Sequence, residues 1–225
     1  MSTADSNVDR AARLDTATIS DALDRLGIAG QCLGLKPRDH RFRMTGRAFT
    51  VLYESAGDPP GTVGDYVDDV PAGGVVVLDN GGREDATVWG DILTLAAHRR
   101  GIAGTVIDGA CRDVHLCLEL GYPIYSRSYS MRTGKDRVQV AAIGGSVTIG
   151  TAGVAAGDIL RGDADGVVAI PRARENEILD AAEQIEAAEE QIRTALRGGS
   201  RLDDARRRLR YHELQKKRLS DPGVQ

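Results

Sequence analysis

Two short apolar runs, VVVLD at 75–79 and TVID at 105–108, constrain the fold of this chain more than any other feature. Both are continuous rather than alternating, as expected of strands buried on both faces. Between them, residues 88–100 place Ile92, Leu95 and Ala96 at helical spacing, and Gly101 and Gly104 end the segment. A short helix over about 113–120, a stop at Gly121 and a strand at 123–126 continue the alternation. Strand–helix–strand–helix–strand order calls for parallel crossovers, so the expected fold class is α/β.

The flanking segments extend this frame. A first helix is expected to start near Thr16 to Ser20, capped by Thr18 or Ser20, with Ile19, Leu23 and Leu26 on one face and Gly27 as its stop. Residues 47–53 read as a strand after the turn at Gly46, residues 64–70 have room only for a short helix, and 80–84 read as a loop. Short strands at 139–142, 146–149 and 167–170, separated by glycine turns, suggest a second β-layer packed on the first. Residues 172–197 read as one charge-laced amphipathic helix, with Ile178, Ile185 and Ile192 seven residues apart, and the basic stretch 201–218 as helical. The simplest organisation is one α/β domain over 1–225, with a core at about 14–171 and a C-terminal helical extension at about 172–218.

Composition narrows the function. The formal net charge of −4 provides no positive field for nucleic acid or anionic lipid, and two Phe, six Tyr and one Trp give little base-stacking capacity. Neither a nucleic-acid partner nor a membrane is expected. Cys32, Cys111 and Cys117 form no CxxC pair, so no disulfide framework or zinc knuckle is indicated. The first residues lack signal-peptide character and no apolar run reaches the roughly 18 residues of a membrane span, which makes the cytoplasm the expected location.

The chemistry concentrates in residues 89–113, WGDILTLAAHRRGIAGTVIDGACRD. Gly90 and Asp91 open a helix, whereas Arg112 and Asp113 follow a strand and the Gly109 turn. In a parallel sheet these positions share the edge where ligands bind. The helix start offers the backbone N–H groups of Ile92 and Leu93 and a partial positive charge, which suit a small carboxylate. Arg112 can add a bidentate contact to that anion, and Asp113 can hold a hard cation beside it.

Asp91, twenty residues and then Arg112-Asp113 resemble the Asp-x20-Arg-Asp signature of 4-hydroxy-4-methyl-2-oxoglutarate and 4-carboxy-4-hydroxy-2-oxoadipate aldolases. These are class II pyruvate aldolases of the superfamily that includes the regulator of ribonuclease activity A. The likeness extends over about 14–199, through Asp15 to Leu23, Gly46 to Val51, Ala86 to Gly90, Gly104 to Asp113 and Gly162 to Pro171. It implies a layered, swivelling β/β/α-type fold, a homotrimer or homohexamer with sites between subunits, and a small 2-oxo-acid substrate. It also implies that Asp113 ligates Mg²⁺ or Mn²⁺, that Arg112 neutralises the enolate, and that Gly90 and the amides of Ile92 and Leu93 bind the substrate carboxylate. Asp91 would orient a metal-bound water that acts as acid or base. A glutamate from a neighbouring subunit would help hold the metal's waters; Glu190 is the candidate, with Glu186 or Glu189 as equal alternatives. The same enolate arises in aldol cleavage and in oxaloacetate decarboxylation, and these residues do not separate the two.

Simpler readings stand beside these. An Arg-Asp pair is commonly a surface ion pair of little energetic worth. Glu190 sits on a charged helix whose solvated face explains it, and His98 precedes Arg99-Arg100 at a helix end where cations favour the dipole. Cys111 reads as a buried structural thiol, the segment from Gly162 to Gly166 as a tight turn rather than a calcium loop, and Ser126 to Ser128 equally as pocket lining or as a strand-end loop. Loops 58–64 and 126–132 are expected to choose the leaving fragment. The rival function is a non-catalytic protein that masks a ribonuclease; the regulator branch lacks the Asp after the Arg, which is present here as Asp113.

Overall fold

The computed structural model describes residues 5–208. Its strands are β1 (Lys36–Pro37), β2 (Met44–Ser55), β3 (Val75–Thr87), β4 (Gly104–Cys111), β5 (Ile124–Tyr129), β6 (Val138–Ile143), β7 (Val147–Ile149), β8 (Ala152–Val154), β9 (Ile159–Gly162) and β10 (Val167–Ile170). The helices are α1 (Ser6–Ala12), α2 (Thr16–Leu26), α3 (Asp91–Arg99), α4 (Val114–Leu120), α5 (Glu175–Arg197) and α6 (Leu202–Arg208). Eight strands form a nearly closed, barrel-like sheet in the order β1-β5-β4-β3-β2-β9-β10, with β6 also paired to β2.

The expected parallel crossovers form its centre. β2, β3, β4 and β5 run parallel, with Thr50 opposite Val77, Val77 opposite Val106, and Val106 opposite Tyr125. Val75, Val76, Val77, Leu78, Val106 and Ile107 are fully buried, which is why these runs are apolar on both faces. α3 links β3 to β4, and α4 links β4 to β5. The remaining long pairings are antiparallel. β2 pairs first with β9, Thr45 opposite Arg161, and further along with β6, Glu54 opposite Gln139. β2 therefore joins the later strands to the first set, and only the β7–β8 hairpin stands apart.

Several boundaries differ from the sequence expectation. β3 does not end at Asp79 in a loop. It continues to Thr87, with register shifts against β4 on either side of Arg83, because this polar stretch still finds ladder partners on its neighbour. α2 is capped by Asp15, whose Oδ1 accepts the Thr18 N–H at 2.7 Å, rather than by Thr18 or Ser20. Thr16 is tied instead to Asp163, which accepts its N–H and hydroxyl at 2.8 and 2.7 Å. That bond, with Asp165 N–H also donating to Asp163 at 3.0 Å, makes the segment from Gly162 to Gly166 a structural turn. α1 was not anticipated; Asp5 caps it.

Helices α1, α2 and α5 pack on β9 and β10 through Ala11, Ile19, Leu23, Ile159, Ile170, Ile178 and Ile185. The seven-residue isoleucine spacing of α5 is thus a buried stripe, and Ile192 extends it. α3 departs from its expected facing. Ile92 and Leu95 are 78% and 44% exposed, and the helix is seated through Thr94 and Ala97 instead. Of the expected helical tail, residues 209–218 lie outside the described residues. Among the described residues no helix is long and apolar enough to cross a membrane.

Candidate active site

The ends of neighbouring parallel strands bring the two polar clusters together. β3 leads through Val88, Trp89 and Gly90 into α3, and β4 leads through Arg112 and Asp113 into α4. Two backbone bonds clamp these connections: Arg112 N–H donates to Trp89 O at 2.9 Å, and Val88 N–H to Ala110 O at 3.4 Å. Trp89 is the buried anchor. Its ring stacks on Tyr122 with centroids 6.3 Å apart, and its Nε1 donates to Thr94 Oγ1 at 2.9 Å. Thr94 in turn donates to Gly90 O at 2.8 Å, which fixes the start of α3.

Gly90 is the N-cap of α3 in an extended conformation that any residue could adopt, so its backbone angles do not require glycine. Space does. A Cβ here would lie 2.8 Å from Asp113 Oδ2 and 3.1 Å from Arg112 Nε. The absent side chain lets the Arg-Asp pair close over the helix start. Asp113 adopts the left-handed conformation, φ 55°, which swings its carboxylate back towards α3. Its Oδ2 accepts from Asp91 N–H at 3.3 Å and lies 3.3 Å from Arg112 Nε. Its Oδ1 has no protein partner among the described residues.

The sequence reading placed Asp91, Arg112 and Asp113 in one site, and the structure brings all three together. The backbone amides are more differentiated. Ile92 N–H donates to Asp91 Oδ1 at 2.8 Å. Leu93 N–H, in the first helical turn, has no intrahelical acceptor. Gly90, Asp91, Ile92, Leu93 and Arg112 border a cleft of about 240 Å³. A larger depression at α6 is walled by Arg201, just before the helix, and by Asp203 and Arg206 on it, and gathers no comparable set of convergent groups.

Glu190 does not reach this cleft within its own chain. It lies on α5, where Arg193 and Arg197 donate to it at 2.8 and 2.9 Å and hold its carboxyl below the usual range. Glu186 and Glu189 also pair with Arg193, at 2.6 and 3.3 Å. The expected pocket role of Ser126 to Ser128 is not seen: Ser126 is buried in β5, and Arg127 pairs with Asp108. Cys111 is fully buried, and burial pushes its thiol up, away from thiolate chemistry.

The sequence reading missed part of the wall. Asp65 lies just beyond the loop expected to choose the leaving fragment, and Thr133, Gly134 and Lys135 follow the other such loop. Thr133 lies beside Thr87 in an isolated bridge. Nothing local in the sequence signals that pairing, which spans 46 positions of chain, 133 − 87.

Comparison with known proteins identifies the family. A family model described as RraA-like, aldolase/RraA, matches residues 16–169. Protein DlpA of Legionella pneumophila is 38% identical over 213 residues, covering 92% of this chain but 35% of that protein, so the chain spans about a third of its length. A Halalkalibacterium halodurans protein, provisionally named a 4-hydroxy-4-methyl-2-oxoglutarate aldolase, is 33% identical over 177 residues, 79% of this chain and 82% of its own. The solved structure of Streptomyces coelicolor RraAS2, described as an unusual member of the RNase ES inhibitor RraA family, matches with a TM-score of 0.77 at 28% identity, over 84% of this chain and 96% of that one. With its family model covering most of the sheet and the whole cleft edge from β3 to α4, the chain belongs to the RraA-like, aldolase/RraA family.

Proposed function

We propose that this cleft is the active site of a divalent-metal-dependent carbon–carbon lyase that releases pyruvate from small 2-oxo acids. Its reactions would be aldol cleavage of compounds resembling 4-hydroxy-4-methyl-2-oxoglutarate and decarboxylation of oxaloacetate. The observation that carries the reading is the convergence of Asp91, Arg112 and Asp113 around Gly90, where a side chain would push the Arg112–Asp113 pair aside.

The donor set suits Mg²⁺ or Mn²⁺. Asp113 does not itself line the cleft but sits behind its Asp91 and Arg112 wall, and its Oδ1 is a hard oxygen with no hydrogen-bond partner among the described residues. No group of three or more His, Cys, Asp or Glu able to hold a metal occurs among the described residues, so one carboxylate with water is the fitting mode, as Mg²⁺ prefers. When bound, the metal supplies Lewis acidity for the negative charge that grows on the keto oxygen.

The chain's own residues perform the rest. The α3 N-terminus receives the substrate carboxylate at the Leu93 and Ile92 amides. Substrate binding there would free the Asp91 carboxylate from the Ile92 N–H, so that it can orient the water that exchanges a proton with the substrate hydroxyl. As the C3–C4 bond breaks, Arg112 lies beside the forming enolate oxygen and stabilises it. Val63, Val88, Trp89 and Leu93 supply apolar wall that limits water. Ile92, 78% exposed at the cleft edge, supports a site closed by another subunit of a trimer or hexamer, through which Glu190 would act.

The second reading is a ribonuclease-masking binding protein, favoured by the likeness to RraAS2. Asp113 weighs for the enzyme, since masking needs no metal anchor. Pyruvate release from oxaloacetate and from 4-hydroxy-4-methyl-2-oxoglutarate, followed with Mg²⁺ or EDTA, tests the proposal. Release that requires the metal and exceeds the rate with metal alone supports the lyase; release no faster than that background on either compound favours the binding protein.

A further inference from the structure

Resting on the lyase reading, whose named substrates are dicarboxylic 2-oxo acids, the cleft also indicates which residue recognises their second carboxylate. Its cationic side chains among the described residues are Arg112 and Lys135, which come from different parts of the fold. Arg112 sits beside Asp113. Lys135 projects from the segment that links β5 to β6.

That segment holds Lys135 in place. Thr87 donates its N–H and its hydroxyl to Arg132 O at 3.2 and 2.8 Å, binding the segment along the end of β3. Gly134 lies so close that a Cβ would meet Thr87 O at 2.3 Å. Its carbonyl accepts the N–H groups of Arg137 and Val138, both at 2.9 Å, and Lys135 N–H donates to Thr133 Oγ1 at 3.2 Å. The backbone of Lys135 is thus fixed on both sides.

Its ammonium is not. Lys135 is exposed at the cleft, and no carboxylate among the described residues forms an ion pair with it. Asp65, the other charged group on this part of the rim, accepts from Thr62 Oγ1 at 2.7 Å and does not pair with Lys135. A lysine is a compact point charge on a flexible stem and suits an anion whose position varies with substrate length. Val63, Val88, Trp89 and Leu93 give the same cleft apolar lining. A cleft of about 240 Å³ that takes one cation from each of two separate segments and is otherwise partly apolar fits a short chain that carries two anionic groups.

We propose that Lys135 is a specificity residue that binds the second carboxylate of a dicarboxylic 2-oxo acid, the carboxylate carried by the leaving fragment. Monocarboxylic 2-oxo acids use the Arg112 end alone and bind more weakly.

Calorimetric titration of the full chain with Mn²⁺ tests this without turnover. The probes are 2-oxoglutarate and 2-oxopentanoate, which match in length and differ in carrying a carboxylate or a methyl group at the far end. Wild type should bind 2-oxoglutarate about tenfold more tightly or better. K135A should weaken that acid to the level of 2-oxopentanoate and leave the latter unchanged, and K135R should retain most of the preference. Equal weakening of both acids in K135A would assign the residue a structural role and overturn the proposal. Mn²⁺-dependent binding with a preference that survives K135A would reject the Lys135 subsite and leave the lyase reading standing. Binding independent of Mn²⁺ with a preference still erased by K135A would reject the lyase reading and keep the subsite. No binding of either acid by wild type would overturn both.

Discussion

At the scale of single residues, the site depends on close approach more than on unusual chemistry. Gly90 has ordinary backbone angles, yet a methyl group there would collide with Asp113 Oδ2 at 2.8 Å. Gly90→Ala should therefore lower kcat/KM for pyruvate release by about a hundredfold, through displacement of the Arg112–Asp113 pair. Because the mutated position is half-buried and unstrained, the melting temperature should change little; thermal unfolding beside the kinetics checks both, and an unaltered rate would contradict the crowding argument. Asp91, Arg112 and Asp113 were legible in the sequence because their spacing puts them at adjacent strand ends. Lys135 was not, since only the contact of its segment with Thr87 brings it to the cleft. The engagement of Ile92 N–H by Asp91 was equally hidden, because an N–H at a helix start looks available until a side-chain rotamer is known.

At the scale of elements, the helical layer over β9 and β10 is fastened by both apolar and charged contacts. Arg47 on β2 pairs with Glu175 at the start of α5 and with Asp5 at the cap of α1, and Asn7 donates to Glu175 at 2.9 Å. The Arg47 guanidinium, with help from Asn7, holds the Glu175 carboxyl below its ordinary value of 4.5. A depressed carboxyl contributes stability above its unfolded pKa, and that contribution is lost as pH falls through the folded value. Glu175→Gln should thus cost about 1 kcal/mol at pH 7, with the difference from wild type shrinking below pH 4.5. Urea unfolding at pH 7 and pH 3.5 or so measures it; a gap that widens in acid would refute the assignment. The buried valine runs and the isoleucine stripe of α5 were readable because burial on two faces, or on one helical stripe, leaves a periodic record. α3 defied that rule. Its exposed Ile92 and Leu95 are apolar without facing this chain's core, so periodicity alone pointed them inward. The extension of β3 to Thr87 was unreadable for the opposite reason, because its polar residues pair through backbone groups that carry no side-chain signature.

At the scale of the molecule, the parallel strands place two connections side by side, and the antiparallel arm with its helices completes the barrel-like sheet around them. The α/β alternation foretold the first half. The manner in which β2 joins the later strands to it was not foreseeable, because one strand serving β9 with its first residues and β6 with its last reads as a single run. The proposed chemistry needs this arrangement to present one unpartnered carboxylate oxygen beside a guanidinium. Asp113→Asn is the most direct test. Asparagine tolerates the left-handed conformation at φ 55°, so the fold is retained while the anionic ligand is removed. The measurement is kcat/KM for pyruvate release from oxaloacetate at saturating Mn²⁺, corrected for the metal-only rate, in wild type and Asp113→Asn. The account predicts a loss of about a thousandfold or more in the variant, and undiminished metal-dependent turnover would contradict it.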